Sequence, residues 1–105
     1  MTKAKVDPGI CGLKSEVVVS KKDKQSFSIQ IQSDCDMVEK LGEKIVELGL
    51  MDVFKRIIDN PVYTEGSRCL RHTSCPVPSA VLKALEIEAG LALPKDVKIE
   101  FETEE

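Results

Sequence analysis

The sequence predicts an α+β fold: a small antiparallel sheet, made of an N-terminal hairpin plus a C-terminal strand, with three or four helices packed on one face. Three observations carry this expectation. Two strand-like runs, residues 11–20 and 26–32, flank a short polar turn. The middle of the chain repeats apolar residues at helical spacing. A final run then returns to strict alternation, with Val97, Ile99 and Phe101 on one side and Lys98, Glu100 and Glu102 on the other. At 105 residues the whole chain, 1–105, suits a single domain.

The first strand ends in Val17, Val18 and Val19, whose β-branched side chains favour extended backbone. Lys21 to Gln25 form the turn. Phe27, Ile29 and Ile31 then alternate with Ser28, Gln30 and Gln32, the pattern of a half-buried strand. Asp34 or Asp36 is placed to cap the next helix, because a short acidic side chain accepts from free backbone N–H groups. Val38, Leu41, Ile45 and Leu48 line that helix, and Gly49 ends it. A second short helix is expected over Met51 to Ile58, burying Val53, Phe54, Ile57 and Ile58. Asn60 and Pro61 suit the cap and first position of a further helix, although Gly66 weakens that reading. The last helix is expected over Ser79 to Ala89, with Ser79 as its cap and Gly90 in the left-handed position that follows.

Composition narrows the function. Net charge is −3 with both signs dispersed, which speaks against nucleic-acid binding, since that needs a basic face. No run approaches the roughly 20 apolar residues of a membrane span. Met1 to Pro8 lacks the apolar stretch of a signal peptide, so a cytoplasmic, reducing location is expected. No glycine-rich phosphate loop, GxSxG turn or other acid/base constellation stands out, so enzymatic hydrolysis is not expected.

Four cysteines remain as the chemically pointed feature. With the turn centred near Asp23, Cys11 and Cys35 lie equally far from it along the two strands. Both therefore fall at the open end of the hairpin. Cys35 also opens a helix, and Cys75 stands just before the last one. Positive helix N-termini lower a thiol's pKa and favour the thiolate, the form that binds soft metals. Cys69, His72 and Cys75 are spaced three apart, and His72 is the only histidine. Cys11, Cys35 and Cys75, with either His72 or Cys69 as fourth ligand, would complete a tetrahedral zinc or iron–sulfur site. The alternatives are a redox or sulfur-relay protein using the Cys75 thiol, resolved by Cys69 or Cys11, or a non-catalytic interaction module whose cysteines are structural, acting as small apolar groups.

The same residues resemble the iron–sulfur cluster scaffold proteins of the IscU/NifU type. Ile10-Cys11-Gly12 is similar to that family's first cysteine motif and Ser33-Asp34-Cys35 to its second. Thr73-Ser74-Cys75, followed by a helix, is similar to its third. The resemblance covers residues 10–90. It implies an antiparallel hairpin followed by helices, three cysteine ligands, and a partner protein that supplies or receives metal or cluster. Leu13 stands where that family carries the acidic residue used in cluster lability. The histidine, adjacent to the third cysteine in the family, lies three residues ahead of it here.

Overall fold

A computed structural model describes residues 1–104 of the chain. Its centre is the expected hairpin. Strands β2 (Ser15–Lys21) and β3 (Ser26–Ser33) pair antiparallel, with Val17 opposite Ile31 and Val19 opposite Ile29. Lys21 pairs with Phe27, so the midpoint falls at Lys24, one residue past the expected centre. The Asp23 carboxylate holds the turn by accepting the Gln25 and Ser26 N–H groups at 2.8 and 3.0 Å. Two further strands flank the hairpin. Strand β1 (Thr2–Val6) lies against β2, and β4 (Glu47–Gly49) lies against β3, giving the order β1-β2-β3-β4.

Because side chains alternate along a strand, this register places Ala4, Val6, Val17, Val19, Phe27, Ile29 and Leu48 on one inner face. Lys3, Lys5, Glu16, Gln30 and Gln32 face the other way. Helices cover the inner face. Helix α1 (Asp36–Lys44) packs on β3 through Val38 and Leu41. Gly42 permits the approach, since a Cβ there would stand 3.0 Å from the Ile31 Cβ. Helix α3 (Val77–Glu88) crosses β1 and β2 and buries Val77, Val81, Ala84 and Leu85. It ends in a Schellman motif: Gly90, at φ +77°, donates to the Ile87 carbonyl and Leu91 to that of Glu86. Helix α2 (Pro61–Cys69) bridges the other two. Asn60 caps it, accepting from the Val62 N–H at 3.0 Å and donating to the Asp52 carbonyl at 2.6 Å.

The α+β class and the helices on one sheet face follow the sequence. Several elements do not. Val97 to Phe101 form no strand, and their apolar side chains are exposed. The β2 edge they would need is taken by β1, whose alternation is muted because Thr2 and Ala4 are small. The helix after Cys35 stops at Lys44 rather than Gly49, because Leu48 is drawn into the sheet opposite Phe27. In place of a helix over Met51 to Ile58 there are two short 3₁₀ segments, Leu50–Phe54 and Ile57–Asp59. Phe54, Ile57 and Ile58 are exposed there rather than buried. Neither Asp34 nor Asp36 caps α1: Cys35 holds the cap position, with no side-chain bond. Ser79 lies inside the first turn of α3, which begins two residues earlier at Val77 behind Pro76. No described helix is long and apolar enough to cross a membrane.

Asn60 is 2% exposed and serves both the α2 cap and an otherwise distant carbonyl. Asn60→Ala should therefore cost about 2–3 kcal/mol in urea unfolding, combining a lost cap with a stranded buried carbonyl. Asn60→Asp keeps the cap acceptor but turns a carboxylate oxygen, which cannot donate, on the buried Asp52 carbonyl, so it should not rescue the loss.

Candidate functional site

Helix α3 decides which end of the sheet carries the thiols. Near its C-terminus, the Glu88 carboxylate accepts from the Thr2 hydroxyl at 2.7 Å and from the Lys21 N–H at 3.2 Å. That end of the helix thus lies where β1 begins and β2 finishes. Twelve helical residues rise about 18 Å, close to the length of these strands. The N-terminus of α3 must then lie at the opposite end, where β1 finishes, β2 begins and β3 finishes. Cys11, Cys35 and Cys75 all belong to that end.

Cys11 is exposed in the β1–β2 connection, between Gly9 and Gly12, which stand at φ +91° and +69°. A hydrogen bond from the Gly12 N–H to the Gly9 carbonyl at 2.9 Å closes the turn around it. The β2–β3 ladder continues toward this loop, since the Asp34 N–H donates to the Lys14 carbonyl at 3.0 Å. Cys35 is half-buried, and its N–H donates to the Ser33 hydroxyl at 3.0 Å. The Ser33 hydroxyl in turn shares a 2.7 Å hydrogen bond with that of Ser15. Cys75 is half-buried ahead of Pro76, its N–H bonded to the His72 carbonyl at 3.1 Å.

Electrostatics link the three thiols. Burial pushes the Cys75 thiol above its ordinary pKa, and the nearby Cys35 and Cys11 thiols push it the same way. The Val77 N–H at the start of α3 bonds the sulfur and acts in the opposite direction, but does not prevail. The expected lowering of the Cys75 pKa by the helix terminus is therefore reversed: desolvation outweighs the helix N–H group. Cys75 stands as a neutral thiol whose ionisation is opposed by two like neighbours.

Cys69 and His72 are placed differently. Cys69 ends α2 and lines an open groove between α1 and α2, together with Lys40, Glu65, Arg68 and Arg71. His72 is exposed in the turn that closes on Cys75. Among the described residues, no group of three or more His, Cys, Asp or Glu side chains is gathered in a way that could hold a metal ion. No disulfide links the four cysteines, all of which are free.

Comparison with known families matches residues 2–101 to a family of unknown function, DUF6951. The chain belongs to the DUF6951 family. No curated protein matches this DUF6951 chain, and no solved structure does. The match spans all four strands, the three helices and every cysteine, so the thiol end lies wholly inside the family region.

In metal-free, reduced protein, the alkylation rate of Cys75 should titrate above the ordinary thiol value. Replacing Cys35 or Cys11 by Ser should bring that value down, because each replacement removes a like charge. A raised folded-state pKa favours folding below the unfolded thiol value. That contribution is lost as pH rises through the folded value, so alkaline pH should destabilise the metal-free protein. A Cys75 value at or below that of a free thiol would contradict this account.

Proposed function

We propose that this DUF6951 protein is a small metal- or iron–sulfur-binding protein, a scaffold or carrier, with Cys11, Cys35 and Cys75 as ligands. The single observation that carries the reading is the electrostatic coupling of Cys75 to both Cys35 and Cys11. Three residues far apart in the chain belong to the same end of the sheet, without being gathered as a ligand set among the described residues. Their mutual opposition to ionisation is what a soft cation would relieve, because thiolate, not thiol, binds zinc or iron. Zinc takes four ligands in structural sites, so a fourth must come from Cys69, His72 or a partner. Cys69 faces a separate groove, while His72 stands in the Cys75 turn.

The turn around Cys11 suits such a role. It is exposed, lies between two glycines at positive φ, and contributes no residue to the core. Metal uptake would release the thiol protons, and affinity should rise with pH. Cargo held at an exposed end is open to a partner protein that supplies or receives it, as the similarity to the IscU/NifU scaffolds implies. A redox or sulfur-relay role for Cys75 is less well supported, because a nucleophile needs thiolate near neutral pH and this thiol is held protonated.

Protein purified without oxygen should contain about one zinc, or iron with sulfide, per chain by elemental analysis. Replacing Cys11, Cys35 and Cys75 by Ser should abolish that content while the fold persists. Wild-type protein that folds without metal, and takes up neither zinc nor iron on titration, would sink the proposal.

A further inference from the structure

The segment 97–101 is strand-patterned yet has no strand to join. Val97, Ile99 and Phe101 are 58%, 71% and 88% exposed. Nothing in the core requires them, and together they leave an alternating apolar edge in water, which soluble proteins rarely leave uncovered. At the same time β1 is an edge strand of the sheet, with one side of its backbone unpaired. Its inner residues Ala4 and Val6 are only half-buried, and Lys3 and Lys5 stand exposed on its outer face.

We infer that residues 97–102 of one copy add as a fifth strand to β1 of a second copy, and that the exchange is reciprocal. Antiparallel pairing in one register satisfies both faces together. Phe101 falls opposite Ala4 and Ile99 opposite Val6, extending the apolar inner face. On the outer face Glu102 falls opposite Lys3, Glu100 opposite Lys5, and Lys98 opposite Asp7, just beyond β1. All three outer pairs are of opposite charge, and such cross-strand pairs stabilise a ladder where like pairs oppose it. In the lone chain Glu100 pairs with its neighbour Lys98 at 2.9 Å, Lys3 pairs with Glu16 at 3.4 Å, and Lys5, opposite Glu16 in the ladder, forms no ion pair among the described residues.

The chain's own β1 is a poorer acceptor for this register. Helix α3 ends beside Thr2, so the connection must run the length of β1 and then reverse. Residues 91–97 span at most about 25 Å, and β1 alone takes about 17 Å, which leaves roughly two residues for the reversal. A second copy imposes no such limit, and two-fold exchange buries both segments and closes both β1 edges. This inference is independent of the thiol chemistry.

Sedimentation of the full chain under reducing conditions, across the micromolar range, tests it. A concentration-dependent dimer is expected. Glu100→Lys with Glu102→Lys should raise the dissociation constant by about tenfold or more. Adding to that variant the compensating pair Lys3→Glu and Lys5→Glu, with Glu16→Lys to keep opposite charges across β1 and β2, should restore the dimer, which separates a broken contact from a damaged fold. A monomer throughout, as docking on the chain's own β1 would give, overturns the inference. So does a dimer indifferent to the charge reversal, or one that the compensating pair fails to restore.

Discussion

The thiol end of this protein depends on the register in which β2 pairs with β3. With Val17 opposite Ile31 and Val19 opposite Ile29, every apolar side chain of the hairpin except Val18 faces the helices. A slip of one residue in β2 would turn Val17 and Val19 outward and bring Glu16 and Val18 in, so burial enforces this register strongly. The same ladder sets where β2 starts and β3 stops. It thereby sets how far the Cys11 loop stands from Cys35. Helix α3 lies on the face the register creates, and its length carries Cys75 to the same end. The geometry of the cysteines is thus a consequence of aliphatic packing rather than of local motifs around each one.

Two physical effects compete at Cys75, and their balance shapes the chemistry. A helix N-terminus offers an N–H and a partial positive charge, which favour thiolate. Half-burial against the core and two neighbouring thiols favour the neutral form, and these prevail. Such a thiol is a poor nucleophile near neutral pH. A cation would have to compensate the charge before this sulfur could serve as a ligand.

Much of this was legible in the sequence where periodicity was strong. Phe27, Ile29 and Ile31 against serine and glutamine marked β3, and the hairpin centre came within one residue. Val81 and Leu85 marked α3, and Gly90 marked its end. What escaped notice has identifiable causes. Strand β1 was muted because Ala4 and Thr2 contribute little apolar contrast. Leu48 fits a helical stripe as well as a strand, and only tertiary pairing with Phe27 assigns it. Phe54, Ile57 and Ile58 read as core because they are large and apolar, yet single turns of 3₁₀ backbone leave them outside. Placement of Cys11 and Cys35 toward the open end of the hairpin could be argued from symmetry about a turn. The reversal at Cys75 could not, because desolvation depends on packing that no local motif reports. Cys69 and His72 share a spacing with Cys75, but Cys69 is carried by the end of α2 toward a different groove.

The paired hydroxyls of Ser15 and Ser33 carry one last consequence. Cys35 occupies the cap of α1 without any side-chain bond to that helix, and its N–H is held by the Ser33 hydroxyl. Ser15, only 4% exposed, braces that hydroxyl from the neighbouring strand. Cys35 is therefore moored to the sheet through its N–H as well as to the helix through its carbonyl, which accepts the Glu39 N–H at 3.0 Å. Fraying of the first turn of α1 would leave this residue held by its strand, so thermal breathing there need not displace it from the end of the sheet.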